Sequence, residues 1–302
     1  MPKTSHTEPL TAEQVPILRS VLEDRGFDFI EKPYTIFAAK KGKLNIAVYE
    51  KGPKVLVQGK ETEEFVKFIL EPEILGEAKL GYEEELNPEM FEPHFGIDES
   101  GKGDFFGPLV IAGVYTDAVI ARQLIDAGIQ DSKAIKSDAR IRSLSEVIRK
   151  TRGVVFEVIA IAPKRYNELY EKFANLNKLL AWGHAKTIEN LAKRRPQCPR
   201  TLSDQFANPR ELENALKKTG TEIKLEQRTK GESDIAVAAA SILAREKFID
   251  WLRNTGKELG MQLPRGASLE VQALTAELRR ERGFEFLTQV GKTHFKFANL
   301  LL

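Results

Sequence analysis

Apolar positions change period along this chain, and the changes divide it into three zones. Val15, Leu18 and Leu22 recur at the spacing of one helical face, behind Thr11 and Gln14, which make a capping-box signature. Gly26 is placed to end that helix. Alternation with a period of two then takes over. Residues 35–39 have strand character, Leu44, Ile46 and Val48 alternate with Asn45, Ala47 and Tyr49, and Val55 and Val57 follow. Lys41-Gly42-Lys43 and Lys51-Gly52-Pro53-Lys54 read as the turns between them. Phe65, Phe68 and Ile69 predict a second helix. Residues 1–70 therefore read as a small α+β domain of helix, antiparallel strands and helix. Its turns carry Lys40, Lys41, Lys43, Lys51, Lys54 and Lys60, either as a phosphate-facing surface or as solubilising charge. Across 71–92 periodicity fades. Glutamate is frequent there, and Pro72, Gly76, Gly81 and Pro88 interrupt the stretch, as in an acidic linker.

Residues 93–302 alternate strands and helices. Phe95-Gly96-Ile97 and the apolar run 109–115 predict paired strands, and 154–161 a third. Helices are expected after Pro163, over about 177–193, and from Asn208-Pro209-Arg210-Glu211, which supplies an N-cap, a proline at the first position and an early acid. Residues 221–227 fit an edge strand. Asp234 opens a long helix with Ile235, Ala238, Ala239, Ile242, Ile249 and Leu252 on one face, and the alanines of 236–240 allow close approach to a sheet. The zone is α/β around a mixed sheet.

Composition narrows the picture only slightly. A 302-residue chain can bury one large core or two ordinary ones. A net charge of +2 does not by itself argue for nucleic acid. Cys198 is the sole cysteine, which excludes an intrachain disulfide and a cysteine-cluster zinc site. The first residues lack the apolar core of a signal peptide, and no apolar run is long enough to span a bilayer, so a cytoplasmic protein is expected.

Candidate chemistry concentrates in residues 96–108, Gly-Ile-Asp-Glu-Ser-Gly-Lys-Gly-Asp-Phe-Phe-Gly-Pro. Asp98 and Glu99 end a short apolar run, and carboxylates suit a hard divalent cation. Gly101 and Gly103 bracket Lys102, and glycines let main chain approach phosphate or sugar oxygens. Asp204 and Asp234 are further candidate acids, although Asp234 also fits a simple N-cap. The Thr201-Leu202-Ser203 segment before Asp204 is more polar than a buried strand suggests. Asp131-Ser132-Lys133 precedes a helix beginning near Ser137, His184 reads as a packing residue, and His294 has no metal-spaced partner. No serine or cysteine triad is evident, and Lys102 lacks the spacing of a P-loop.

In order along the chain, Asp98 to Pro108, Asp131-Ser132-Lys133, Asn175-Leu176-Asn177, Asp204-Gln205-Phe206 and Asp234 leading into Ala236 to Arg245 resemble type 2 ribonuclease H. Lysine between the glycines, Leu263-Pro264-Arg265-Gly266-Ala267-Ser268 and Gly291-Lys292-Thr293-His294-Phe295 are similar to the ribonuclease HIII branch. The resemblance implies a ribonuclease H-like catalytic domain over 93–302, preceded by a substrate-binding domain similar to the TATA-box-binding protein fold. It also implies an endonuclease that cuts the RNA strand of RNA–DNA hybrids with Mg²⁺ or Mn²⁺, leaving 5′-phosphate and 3′-hydroxyl ends. The family's four catalytic and metal-binding acids fall on Asp98, Glu99, Asp204 and Asp234, with Asp98 expected to bridge two metals. Adjacent strand residues face opposite sides, so Glu99 joins Asp98 only if the strand turns or a water intervenes. Gly101, Lys102, Gly103 and Lys133 are the expected substrate contacts, the glycine loop meeting the ribose 2′-hydroxyl through main chain. The expected partner is an RNA–DNA hybrid engaged by a monomer, with no membrane. The competing readings are incision at single ribonucleotides embedded in DNA, another ribonuclease H-fold nuclease such as a resolvase or transposase-like enzyme, and a non-catalytic hybrid-binding protein.

Overall fold

The computed structural model describes residues 4–76, 87–229 and 231–299. The chain divides into two compact units, Met1–Glu89 and Met90–Leu302. Of the stretch read as a linker, residues 77–86 lie outside the described residues, while Pro88–Phe91 forms a short 3-10 turn.

The first unit contains β1 (Ser5–Pro9), α1 (Gln14–Asp24), β2 (Asp28–Ile30), β3 (Thr35–Lys41), β4 (Leu44–Tyr49), β5 (Lys54–Gln58) and α2 (Thr62–Phe65), which runs into π-helical turns over Val66–Leu75. The expected capping box forms. The Thr11 N–H donates to Gln14 Oε1 at 2.9 Å, and the Gln14 N–H to Thr11 Oγ1 at 3.3 Å. The five strands order as β1-β5-β4-β3-β2, each pair antiparallel. Leu18 and Leu22 of α1 pack with Ile46, Val48, Val55 and Val57 of the sheet. Past α2 the buried positions are Val66, Leu70, Glu71 and Ile74, and the wider winding keeps the apolar three, spaced by four, on one side. Phe68, expected on the buried face, therefore points to solvent, 59% exposed.

The second unit holds β6 (His94–Ser100), β7 (Leu109–Thr116), α3 (Ala118–Asp126), α4 (Asp138–Lys150), β8 (Val155–Ile161), α5 (Pro163–Phe173), α6 (Leu176–Arg194), β9 (Arg200–Asp204), α7 (Pro209–Lys217), β10 (Lys224–Arg228), α8 (Ile235–Leu259) and α9 (Leu269–Val290), the last bent at Gly283. Its sheet runs β10-β9-β6-β7-β8. β6, β7 and β8 pair antiparallel, whereas β6–β9 and β9–β10 are parallel, giving the expected mixed sheet. α8 covers β6 and β7. Gly96 makes that contact possible, because a Cβ there would lie 2.2 Å from the Ala236 main chain. α6 covers the opposite face, its Leu191 and Thr187 meeting Gly113 of β7. The polar strand β9 is buried all the same, because its hydroxyls are hydrogen-bonded: Thr201 Oγ1 donates to the Phe95 carbonyl at 3.3 Å, and Ser203 Oγ to the Asp204 carbonyl at 3.1 Å.

Candidate active site

The parallel pairing of β6 and β9 brings acids together from distant parts of the chain. Ile97 pairs with Ser203, so Asp98 and Asp204 are the next residues of neighbouring strands, whose axes lie about 5 Å apart. Asp98 Oδ1 accepts the Glu99 N–H at 2.8 Å. Asp204 Oδ1 accepts the Gly231 N–H at 3.0 Å, which fixes the approach to α8.

Glu99 follows the alternation of the strand and turns toward α6. There the buried His184 lies 3.1 Å from Glu99 Oε2 through Nε2 and 3.0 Å from Ser203 Oγ through Nδ1. His184 is thus a bridge between β6 and β9, not the packing residue its helical neighbours suggest. Asp234 is placed at the N-terminus of α8, where Oδ1 accepts the N–H groups of Ala236 and Val237 at 2.8 and 3.2 Å. Both its oxygens also face Nε2 of the buried His94, at 3.0 and 3.1 Å, while His94 Nδ1 donates to the Glu92 carbonyl at 2.7 Å. His94 lies four residues before Asp98 on the same face of β6, roughly 13 Å along the strand. The structure thus groups Asp98, Glu99 and Asp204, and sets Asp234 against His94 and the helix terminus.

Electrostatics mark Asp98 as short of positive charge. Burial lifts the Asp98 carboxyl well above the ordinary carboxylate range, and the charges of Glu99 and Asp204 push the same way. Burial also works to raise Glu99, but the hydrogen bond and charge of His184, with Lys102 and Lys133, outweigh it and hold that carboxyl below its ordinary value. Lys102 Nζ stands 3.8 Å from Glu99 Oε1 and 5.7 Å from the centre of the Phe206 ring. Lys133 lowers the pKa of both Asp98 and Glu99, so its charge too acts on the paired acids.

The Lys133 loop is tied to α8. The Ser132 N–H donates to Ser241 Oγ at 3.1 Å, and Arg245 donates to the Ser132 carbonyl. Those two ties give the serine and arginine of the alanine-rich helix a task that their sequence positions alone did not reveal. Of the two glycines, Gly101 is required by its own backbone: its φ is +89°, and a Cβ would lie 2.2 Å from the Pro108 carbonyl oxygen. Gly103 is exposed and its Cβ would meet nothing within 4 Å, so this chain sets no steric demand there.

The all-carboxylate donor set fits a hard divalent cation, and the raised Asp98 is the group such a cation would relieve. Among the described residues no three His, Cys, Asp or Glu side chains are gathered into a ready-made cage. Mg²⁺ is commonly held by one or two carboxylates, with phosphate and water completing its shell.

The mixed sheet, with acids at the ends of its parallel pair, defines a ribonuclease H-like nuclease. The ribonuclease HII family model matches residues 95–298, and a family described as Domain of unknown function (DUF3378) matches 13–79. Ribonuclease HIII of Chlamydia felis is 44% identical over 298 residues, covering 98% of this chain and 97% of that one. Ribonuclease HIII of Protochlamydia amoebophila is 44% identical over 281 residues, covering 93% and 91%. Among solved structures, Bst-RNase HIII in complex with Mn²⁺ superposes with a TM-score of 0.66 at 26% identity, covering 98% of this chain and 97% of that one. RNase H3 of Aquifex aeolicus gives 0.57 at 28% identity, covering 96% and 100%. The chain belongs to the ribonuclease HIII family.

Proposed function

We propose that this protein is an endonuclease that hydrolyses the RNA strand of RNA–DNA hybrids with Mg²⁺ or Mn²⁺, leaving 5′-phosphate and 3′-hydroxyl ends. The observation that carries the reading is Asp98, set beside Glu99 and Asp204 at the ends of two parallel strands, with its carboxyl pushed above its ordinary range. Bst-RNase HIII, of the same fold, is a Mn²⁺ complex. Two divalent cations bound at such acids supply charge neutralisation and water activation for phosphodiester hydrolysis.

The chain's own residues do the rest. Asp98, Glu99 and Asp204 are the residues that would hold the ions, the raised Asp98 carboxyl foremost. His184 keeps Glu99 and β9 in register through its two ring nitrogens. Asp234 belongs to the set by resemblance, and the observed bonds give it the further task of fixing α8 against β6. Lys102 and Lys133 meet the phosphates beside the acids, and the main chain of Gly101 and Gly103 meets the ribose. The unit ahead of the nuclease binds the hybrid remote from the reacting bond, through the exposed lysines of its turns. The protein acts as a cytoplasmic monomer, and no helix among the described residues is long and apolar enough to cross a membrane.

The test is cleavage of an end-labelled RNA–DNA hybrid in Mg²⁺ and in Mn²⁺, beside a DNA duplex carrying one ribonucleotide. RNA-strand cuts on the hybrid are expected, with 5′-phosphate ends. Asp98→Asn should lower cleavage roughly 100- to 1,000-fold, the scale on which losing one transition-state partner acts. Preferential cutting of the single-ribonucleotide duplex would favour the incision reading, and metal-dependent binding without cuts would make the chain a binding protein.

A further inference from the structure

The segment after β6 is fastened from beneath by the end of the chain. The Phe105 N–H donates to the Gly266 carbonyl at 2.9 Å, and Asp104 Oδ1 accepts the Gly266 N–H at 2.6 Å. The Gly107 N–H donates to the Val290 carbonyl at 3.0 Å, the Lys292 N–H to the Phe105 carbonyl at 2.9 Å, and Phe106 bridges Gly291. The Lys292 side chain then enters the space these strands enclose. It is fully buried, and its Nζ donates to the carbonyls of both Asp104 and Gly107 at 2.7 Å. The Tyr166 ring lies 5.8 Å from the same nitrogen. Asn167 steadies the segment from α5: its Nδ2 donates to the Thr288 and Gly291 carbonyls, and its Oδ1 accepts the Thr293 N–H.

Nothing in the hydrolytic reaction calls for this lysine, and burying an amine is costly. A methionine would fill the same space without that cost. What the amine adds is two directed bonds that join both ends of the 104–107 segment to a single atom. The part of the loop left outside the clamp is the Lys102–Gly103 turn.

We propose that Lys292 is a positioning residue for hybrid recognition, holding the 104–107 segment so that the Lys102–Gly103 turn keeps the shape that meets the sugar–phosphate backbone. The proposal rests on the reading above that this turn contacts the hybrid. The clamp does not depend on charge. An ammonium offers three N–H donors and a neutral amine two, and two carbonyls receive them. Burial, against the opposing charge of Asp104, brings the lysine's pKa down to about 7, so both forms are populated near neutrality and both hold the loop.

Full-length Lys292→Met and Lys292→Gln carry the test, read by hydrogen exchange and by steady-state cleavage of an RNA–DNA hybrid. In Lys292→Met, exchange over residues 101–108 should rise about tenfold or more while β7 and α8 keep their protection. KM should rise about tenfold with kcat within threefold, and Lys292→Gln, which retains an amide donor, should fall between. Unchanged exchange with raised KM overturns the positioning role alone. Loosened exchange with unchanged KM overturns it together with the reading of the loop as a hybrid contact. Loosening spread evenly over the nuclease unit makes Lys292 a stability residue and also overturns it. Where neither variant folds, native-state exchange of the unaltered protein decides: the amides of Phe105, Gly107 and Lys292 should open with one common free energy, and independent opening refutes the clamp.

Discussion

Gly101 and Gly103 flank one lysine and answer to different constraints. A side chain at Gly101 meets a left-handed backbone and the Pro108 carbonyl, so Gly101→Ala should cost about 1–3 kcal/mol of stability, read as a lowered Tm. Gly103→Ala should leave Tm unchanged and raise KM for hybrid, because only an approaching substrate would meet its methyl group. A lowered Tm in Gly103→Ala would place its constraint inside the protein. Lys292 supplies a pH signature at the same scale. Its pKa falls from 10.5 to about 7 on folding, so between these values the unfolded chain holds more protons and stability rises with pH. One proton sets a ceiling of about 1.4 kcal/mol per pH unit. Denaturant melts should therefore show the unaltered protein gaining on Lys292→Met from pH 7 to 10, and a difference independent of pH would contradict the buried amine. The acids were singled out through their ordered resemblance to type 2 ribonuclease H, since taken singly each also fits a turn, a loop or an N-cap. His184 and His94 were not, because their partners Glu99 and Asp234 stand 85 and 140 residues away and no spacing announces them.

At the scale of elements, hydrophobic period was a good guide in most strands and helices and a poor one in the short edge strands of the first unit and in the polar strand β9. β9 looked too polar to be internal, and it is internal because Ser203 Oγ meets His184 and Thr201 Oγ1 donates to the Phe95 carbonyl. β1 and β2, of five and three residues, are edge strands with three and two of those positions exposed, too short and too polar for alternation to reveal. The alanine-rich stretch of α8 was legible as a close-packing face. Its Ser241 was not, since the backbone it serves, Ser132, comes from a loop 109 residues earlier. Ser241→Ala should leave the Ser132 N–H without its acceptor and cost about 1–3 kcal/mol. It should also loosen the Lys133 loop, so KM for hybrid rises while kcat changes less. A Tm loss with unaltered KM would limit Ser241 to packing.

At the scale of the whole molecule, each unit carries its own core: one built on Leu18, Ile46 and Val57, the other on Phe95, Ile111 and Ile242. Two separate cores predict two separable folding units. A fragment beginning at Pro88 keeps Met90 and Phe91, which pack into the second core, and should fold with its acids in place. The first unit is proposed to bind hybrid away from the reacting phosphate, so its removal should raise KM about tenfold or more and leave kcat within a few-fold. Salt gives a second, independent reading. Every phosphate that the lysine-bearing turns neutralise adds up to about 0.9 to the steepness of log affinity against log salt, so the fragment's affinity should fall less steeply with salt than that of the full chain. The exposed Lys40, Lys41, Lys43, Lys51, Lys54 and Lys60 carry the difference, Lys41 keeping its charge while its Nζ donates to the Arg25 carbonyl at 2.7 Å. Equal affinities and equal slopes for fragment and full chain would assign the first unit to stability or to a protein partner instead of to the hybrid.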